Sequence, residues 1–139
     1  MKTFTVEEVS KLIPQLREIL DNIFDLSIEA RVLYNDIETL QEIWGKDVIQ
    51  IGNPDNNMFN EGMLKLEQML FELKYYIDEI YSMGGVVKDI NLGLIDFYAL
   101  DNKGRLVFLC WRYDEDNISH YHSLEGSLTE RKSIKELIR

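Results

Sequence analysis

The chain has 139 residues, 45% of them hydrophobic, which is the usual size for one domain with its own core and too apolar for a disordered protein. Its 25 acidic and 15 basic residues give a net charge of −10 that is spread along the sequence, so we expect no binding to nucleic acid. The single cysteine, Cys110, excludes an internal disulfide, and the sequence shows the pattern of neither a signal peptide nor a membrane span, so we expect a cytoplasmic protein without a membrane partner.

The first predicted element is a long helix with a complete start signal. Thr5 and Glu8 have the spacing of a capping box, in which each side chain accepts a hydrogen bond from the other residue's backbone amide. Apolar residues then follow in steps of three and four, and Gly45 stands at the C-terminal cap position. These apolar positions are Val9, Leu12, Leu16, Ile19, Ile23, Leu26, Ala30, Leu33, Ile37, Leu40 and Trp44. Because proline lacks the amide hydrogen, we expect a kink or break just before Pro14, with Pro14 opening the main helix.

A second helix is predicted after a loop at residues 46–57, which is rich in Asn, Asp and Gly. Residues 55–57 supply candidate N-caps, and Gly84 and Gly85 end the helix. Its predicted seam consists of Phe59, Met63, Leu66, Leu70, Leu73, Ile77 and Ile80. Two seams of the same period joined by a turn predict a long antiparallel, coiled-coil-like helical hairpin over residues 5–84.

Further apolar residues lie beside the seam of the second helix. Met69, Tyr76 and Met83 form a second stripe at helical spacing. A two-helix hairpin buries one seam against itself, so this stripe needs another surface, either the strands that follow or a second copy of the chain. We expect a homodimer formed through the helices.

The periodicity changes to that of strands after residue 85. Residues 94–100 and 105–111 are aromatic and β-branched runs, and the intervening Asp-Asn-Lys-Gly predicts a type I turn with Gly104 in the left-handed bulge position. Pairing of Asp101 with Arg105 then sets Asp96 opposite Cys110. The opposite face of the hairpin, which is continuously apolar, is the predicted core side: Ile95, Phe97, Ala99, Val107, Leu109 and Trp111.

The remaining C-terminal residues complete the predicted architecture. A third strand is expected around residues 120–124, and one helical turn is expected to start at Ser133 with Glu136 as its capping partner. We therefore predict an α+β fold in a single domain over residues 1–139. Its helical hairpin occupies residues 5–84, and a small antiparallel β-meander with the C-terminal tail occupies residues 85–139.

The second face of the β-hairpin carries polar groups in an apolar neighbourhood. Asp96, Cys110 and Arg112 lie on this face, where a buried carboxylate needs a partner. One interpretation is a structural Asp96–Arg112 ion pair beside an inert cysteine. Another is a site in which Glu115 and His122 join Asp96 and Cys110, because these are ligand types that zinc and iron accept. Metal ligands are then Asp96, Cys110 and His122.

A nucleophilic Cys110–His122 pair, with Asp96 orienting the imidazole, is a third interpretation of the same residues. The sequence shows no oxyanion-loop glycine motif beside Cys110, and the middle of a strand is poorly exposed to a substrate. We expect the two histidines of the predicted third strand to alternate across it, so that at most one points inward and His120 is solvated.

Several segments of the sequence resemble a known family. They are FTVEEVSKLIPQL (residues 4–16), VKDINLGLIDF (87–97), LCWR (109–112), Glu115, the pair Tyr121-His122, and Arg131. On these segments the chain resembles a bacterial family known only as domain-of-unknown-function family 2203. The resemblance covers nearly the whole chain, although the helical middle matches in pattern alone, and it brings no activity with it. It implies a family fingerprint on Asp96, Cys110, Trp111, Arg112, Glu115, His122 and Arg131.

From these patterns we expect a noncatalytic interaction or oligomerisation module with a site for a small ligand or a partner on the β-hairpin face. The candidate binding residues are Asp96, Cys110, Arg112, Glu115, His122 and Arg131. The alternative is a small metal-dependent or Cys/His hydrolase that uses Asp96, Cys110, Glu115 and His122. In that alternative Arg112 or Arg131 holds an anionic group of the substrate.

Overall fold

The structure of the protein, a computed structural model, describes residues 2–126 and 130–137. Within them, helix α1 spans Val6–Trp44, a 3-10 helix spans Gly45–Ile49, and helix α2 spans Asn56–Ser82. Strands β1 (Gly85–Asp89), β2 (Leu94–Leu100), β3 (Leu106–Arg112), β4 (His120–Ser123) and β5 (Lys132–Ser133) follow, and a 3-10 turn covers Ile134–Glu136. The five described strands form one antiparallel sheet in the order β1-β2-β3-β4-β5. The predicted α+β fold, a helical hairpin followed by a β-meander, is confirmed.

Contacts divide the chain into two compact units. One unit is Asn22–Tyr76, and the other contains the described residues of Met1–Asp21 and Ile77–Arg139. The first holds the C-terminal part of α1, the 3-10 helix and most of α2, whereas the second holds the start of α1, the end of α2 and the sheet. No described helix combines the length and the apolar character needed to cross a membrane.

The start of α1 confirms the predicted capping box and contradicts the predicted break. Thr5 and Glu8 each accept a hydrogen bond from the other's backbone amide at 3.1 Å. The helix nevertheless runs without interruption through Pro14, so the prediction that Pro14 opens the main helix is wrong. Ile13 and Leu16 on either side are buried, and the packing of this turn outweighs the one backbone hydrogen bond that the proline removes.

In the unit Asn22–Tyr76, the seam of α2 differs from the predicted one. Met63 and Leu70 are about half exposed, whereas Met69 is buried. Gly62 takes the place expected for Met63: a Cβ atom added there would lie 3.2 Å from a side-chain carbon of Ile37. Absence of a side chain at Gly62 lets the two helices approach closely. Of the predicted second stripe, Met69 belongs to the seam, and Tyr76 and Met83 are half-buried, so the stripe is not a fully exposed surface.

The segment between the helices contains more regular structure than predicted. It opens with a 3-10 helix at Gly45–Ile49 whose Val48 packs in a small core with Ile37 and Phe59. Asp55 accepts a hydrogen bond from the Trp44 indole at 2.8 Å on its carboxylate, and its backbone carbonyl accepts the amide of Phe59. This carboxylate therefore links the end of α1 to the start of α2.

The sheet confirms the predicted β-hairpin register. Asp96 pairs with Cys110 and Tyr98 pairs with Phe108. Gly104 has a φ of +76°, as the predicted bulge requires, and every residue of the predicted core face is buried. The third strand and the Ser133 cap are also confirmed, although the backbone amide bound by the Ser133 hydroxyl is that of Lys135. Strands β1 and β5 were not predicted.

Candidate functional site

Three strands bring Asp96, Cys110 and His122 together on the sheet face opposite the core. Asp96 on β2 is the direct partner of Cys110 on β3, and His122 on β4 pairs with Phe108, two residues before Cys110. One ligand atom from each of the three side chains lies within 4.8 Å of the others. All three residues are at most 3% exposed. We call this group the Asp96 cluster.

The hydrogen bonds of His122 determine how many protons the pair with Asp96 carries. His122 Nδ1 lies 2.6 Å from the backbone oxygen of Ser123, and a carbonyl only accepts, so Nδ1 carries a hydrogen. His122 Nε2 lies 2.7 Å from Asp96 Oδ2, a contact that requires one proton between the two atoms. The pair is thus either an imidazolium with a carboxylate or a neutral imidazole with a carboxylic acid. Burial raises the pKa of Asp96, and the neighbouring His122 acts in the opposite direction.

Cys110 and the second oxygen of Asp96 complete the cluster. Burial, followed by the negative charge of Asp96, raises the pKa of the Cys110 thiol to about 12, so the free thiol is protonated at neutral pH. Asp96 Oδ1 is buried and has no hydrogen-bond partner among the described residues. The Cys110 thiol lies close enough to Asp96 to lower the pKa of the carboxyl group, although less than burial raises it. A buried carboxylate oxygen without a donor is costly, so Asp96 Oδ1 is an acceptor that a cation could use.

A cavity of about 230 Å³ adjoins the cluster. Asp96 and His122 form part of its wall. The remaining lining residues are Lys88, Asp89, Leu92, Leu94 and Gly126. We call it the Asp96 cavity. The cluster is therefore buried but lies beside a space that a small molecule can enter.

The predicted Asp96–Arg112 ion pair is wrong. Arg112 Nε donates to Asp114 Oδ1 at 2.6 Å, and Asp96 is paired with His122 instead. Arg112 ends β3, its side chain is one-third exposed, and Asp114 lies two residues further on in the following turn. A pair between these two side chains leaves both charges near water, which costs less desolvation than closing an arginine over a buried carboxylate.

Glu115 and Arg131 meet each other and do not join the Asp96 cluster. Glu115 Oε1 accepts hydrogen bonds from Arg131 Nη2 at 2.6 Å and from the backbone amide of Arg112 at 2.8 Å. The same Arg131 nitrogen donates to the backbone oxygen of Cys110. Glu115 Oε2 lies 3.3 Å from His120 Nδ1. We call this group the Glu115 network, and it ties the loop after β3 to the C-terminal segment.

The two histidines of β4 have different surroundings, as expected, but for a different reason. Strand pairing sets His120 opposite Cys110 and His122 opposite Phe108, so both side chains start from the same face of the sheet. His120 lies at the beginning of the strand and its side chain is 38% exposed, whereas that of His122 is 3% exposed. Position along the strand, not alternation across it, separates them.

Lys88 belongs to the site and was not among the predicted site residues. It lines the Asp96 cavity, and its ammonium nitrogen lies 4.4 Å from the centroid of the Phe108 ring. Its strand, β1, was not predicted, so sequence patterns gave no reason to bring it near Asp96. The signal that could have found it is its place in the VKDINLGLIDF segment, which contains Asp96 as well.

Comparison with known proteins identifies the family of the chain. The sequence model of the family described as "Uncharacterized conserved protein (DUF2203)" matches residues 2–134. The match covers almost all of the 139 residues, so the chain belongs to this family. Neither a curated protein nor a solved structure matches the chain.

Proposed function

We propose that this member of the DUF2203 family binds a divalent transition-metal ion, zinc or iron, through Asp96, Cys110 and His122, and that a small ligand reaches the metal from the Asp96 cavity. The observation that carries the proposal is the convergence of these three side chains to within 4.8 Å on a buried face. Oxygen, sulfur and nitrogen ligands of this kind suit zinc, and imidazole and carboxylate suit iron as well.

The distances require a small adjustment. Ligand atoms about 2.0–2.3 Å from a tetrahedral zinc ion lie roughly 3.3–3.7 Å from one another. The Asp96–His122 contact is 2.7 Å, so these two side chains would separate by about half an ångström as the metal replaces the proton between them. The sulfur atom of Cys110 lies at most 4.8 Å from the ligand atoms of Asp96 and His122, so it can reach the same ion.

The surroundings of His122 and Asp96 also suit a metal. A metal-binding histidine usually donates its second ring N–H to a carboxylate or a backbone carbonyl, which orients the ring. His122 Nδ1 already donates to the Ser123 carbonyl and leaves Nε2 directed at the cluster. Asp96 Oδ1 offers an acceptor that lacks a donor among the described residues.

Charge conservation favours a divalent ion over a monovalent one. Without metal, the Asp96–His122 pair shares one proton and Cys110 is a thiol, so the cluster is neutral in total. With a divalent ion, one carboxylate, one thiolate and a neutral imidazole, it is neutral again. Exchange of two protons for one such ion therefore adds no net charge to a buried site, which avoids the desolvation cost of an unbalanced ion.

Three protein ligands leave the fourth position of a tetrahedral ion open. Structural zinc sites fill all four positions with protein side chains, whereas sites that bind an exogenous molecule keep one position for it. Asp96 and His122 lie in the wall of the Asp96 cavity, so this position can face the cavity. We infer a noncatalytic binding module as the leading function, with the ligand site on the β-hairpin face.

A metal-dependent hydrolase is the second candidate, and the observation that favours it is the place of Asp96 and His122 in the wall of the Asp96 cavity. A water on the ion would face that cavity, and zinc lowers the pKa of such a water to about 7, so that hydroxide is available to attack a substrate at neutral pH. A hydrolase that uses Cys110 as a nucleophile has less support. The thiol is fully buried and its pKa is about 12, so little thiolate is present for attack. We place the protein in the cytoplasm as part of the proposal, since a reducing compartment keeps its cysteine available as a metal ligand.

We also propose that the chain forms a homodimer through its helices. Support comes from large apolar side chains that are more than half exposed in the unit Asn22–Tyr76. Examples are Ile28, Val32, Leu64, Phe71 and Tyr75. Sedimentation velocity is expected to show a dimer at micromolar concentration, and a monomer across the concentration range would contradict this part of the proposal.

Metal binding is tested by elemental analysis and zinc titration of untagged protein. Wild type is expected to bind one zinc or iron ion per chain, and Cys110→Ser and His122→Gln are each expected to weaken zinc binding more than about 100-fold, since loss of an outer-shell partner alone costs 10–100-fold. His120→Gln is the matched control. It removes a neighbouring imidazole that is bound to Ser119 and Glu115 and should leave the affinity unchanged.

Circular dichroism of each variant shows whether it is folded before its affinity is compared. Folded wild-type protein that binds no zinc or iron above the level of a nonspecific surface site would contradict the proposal. Equal losses in His120→Gln and His122→Gln would also contradict it, because only His122 belongs to the Asp96 cluster.

A further inference from the structure

Lys88 occupies an irregular position in strand β1. Val87 pairs with Ile95 and Asp89 pairs with Leu94, its neighbour in sequence, so Lys88 has no partner on β2 and forms a β-bulge. Bulges bend the strand and redirect a side chain, and they are common next to functional sites. Val86 pairs with Asp96, so regular alternation along β1 already places Lys88 on the face that carries the Asp96 cluster.

The ammonium group of Lys88 lies above an apolar part of the site. Its nitrogen is 4.4 Å from the centroid of the Phe108 ring, which is buried and itself lies 5.5 Å from the His122 ring. A cation over an aromatic face is weakly stabilised and keeps its donors free to bind another group. Lys88 also lines the Asp96 cavity, which places a positive charge beside the open position of the proposed metal site.

No carboxylate within the described residues forms a salt bridge with Lys88. The nearest acidic residue in sequence, Asp89, also lines the cavity, but its Oδ1 already accepts the backbone amides of Asn91 and Leu92. These two hydrogen bonds hold Asp89 Oδ1 in the turn after β1, and the carboxylate keeps its negative charge. Lys88 is exposed, so its ammonium group can reach a molecule in the cavity whose wall it lines.

We propose that Lys88 binds the oxyanion of the ligand, so that the molecule bound in the Asp96 cavity is a small carboxylate or phosphate whose charged end bridges the metal and the Lys88 ammonium. This inference rests on the proposed function, because a divalent ion in the cluster would neutralise the charge of Asp96, with which Lys88 otherwise interacts. A cavity of about 230 Å³ has the volume of about eight water molecules, which restricts the ligand to a small molecule or to the end of a larger one.

The experiment uses the full chain loaded with cobalt(II), which replaces zinc and reports its ligands through visible absorption. Inorganic phosphate and acetate are the two probes, and acetamide is a neutral control of the same shape as acetate. Each is titrated into wild type, Lys88→Met and Lys103→Met. Lys103 is an exposed lysine in the turn between β2 and β3, so its variant matches the loss of charge without touching the cavity.

Phosphate or acetate is expected to change the cobalt spectrum of wild type and of Lys103→Met with similar affinity, whereas acetamide does not. Lys88→Met is expected to bind cobalt normally and to weaken the anion about tenfold or more, the loss typical of one charge-assisted hydrogen bond. Response to one probe alone identifies the carboxylate or the phosphate as the ligand class.

Two other results overturn the inference and are distinguishable. Cobalt binding with no anion effect, or with the same anion affinity in wild type and Lys88→Met, would refute the role of Lys88 and leave the metal site intact. Failure of folded wild-type protein to bind cobalt at all would refute the proposed function, and with it the proposed anion site.

Discussion

Two polar groups lie beside strand β3, and they differ in the kind of buried atom that lacks a partner, a nitrogen donor in one and a carboxylate oxygen in the other. In the Glu115 network, both carboxylate oxygens of Glu115 have partners, and Arg131 donates to this carboxylate and to the Cys110 carbonyl. Arg131 Nε is the one buried nitrogen of that network without a partner among the described residues. In the Asp96 cluster, by contrast, a carboxylate oxygen has no donor, and a protonated thiol and an imidazole lie next to it.

The difference separates a structural role from a functional one. A buried ion pair that is also hydrogen-bonded to the backbone holds two segments together and has little capacity left for a ligand. An unmatched acceptor, such as Asp96 Oδ1, can bind a cation, whereas the unmatched Arg131 nitrogen of the other group cannot. The cavity adjoins the second group, as expected if that group binds ligands.

The largest expected effect is on stability, from removal of Glu115. In the variant Glu115→Ala, the buried guanidinium of Arg131 and the Arg112 amide lose their acceptor. Breaking one partner of a buried ion pair typically costs about 3–5 kcal/mol, and we expect the lower end because the Glu115 side chain is 14% exposed. The free energy of unfolding in urea measures the loss.

Asp116→Ala provides the control for that measurement. Asp116 is 97% exposed in its side chain and lies 3.8 Å from Arg17, so its removal should change the stability by less than about 0.5 kcal/mol. If Glu115→Ala were as stable as Asp116→Ala, the Glu115 network would not stabilise the fold.

The second largest expected effect is the dependence of the zinc affinity on pH. Zinc must displace the proton shared by Asp96 and His122 and the thiol proton of Cys110, whose pKa is about 12. Both protons return as the pH falls, so the affinity decreases toward acid, by about 100-fold per pH unit near neutrality. Competition with a chromophoric chelator at several pH values measures this slope. An affinity that does not depend on pH would show that zinc binds elsewhere.

A smaller change in stability than that of Glu115→Ala is expected from Asp96→Asn in metal-free protein. The amide has the same shape and can still hydrogen-bond His122 Nε2, so the loss should be about 1 kcal/mol. The same variant is expected to lose high-affinity zinc binding, because the amide oxygen is a weaker ligand than a carboxylate. Urea unfolding with and without zinc measures both quantities. A loss as large as that of Glu115→Ala would instead give Asp96 a structural role.

Much of the hairpin could be predicted because its register is determined locally. Asp101 and Gly104 define one turn, and each pair of residues on β2 and β3 follows from it, including Asp96 with Cys110. The position of His122 is harder to predict, since it depends on where β4 begins after a loop at 113–119. Loop length alone does not determine that register.

Side-chain partners could not be predicted from strand register. Strand register makes Arg112 a diagonal neighbour of Asp96, but its side chain pairs with Asp114 in the turn after β3, which the alternation of residues does not describe. Glu115 and Arg131 are 16 residues apart, and their contact requires the path of the C-terminal segment. Family resemblance grouped them with the Asp96 cluster although they form a separate network.

The errors in the helices have a similar origin. Glycine has no apolar side chain, so a search for periodic apolar residues does not place it in a seam. Gly62 nevertheless lies where α2 packs closely against Ile37. The predicted break at Pro14 followed from the loss of one backbone hydrogen bond at a proline. The helix continues nevertheless, because the burial of side chains around Pro14 stabilises it by more than that loss. In both places the packing of neighbouring elements determines the outcome.

X-ray absorption spectroscopy at the zinc edge of the zinc-loaded protein tests the metal site most directly. We expect one sulfur ligand, from Cys110, at about 2.3 Å from the zinc ion and three nitrogen or oxygen ligands at about 2.0 Å from it. Two of these three come from His122 and Asp96, and the third comes from solvent or the bound anion. A zinc ion with only nitrogen and oxygen ligands, or with two or more sulfur ligands, would contradict it, because each chain has only Cys110 to offer.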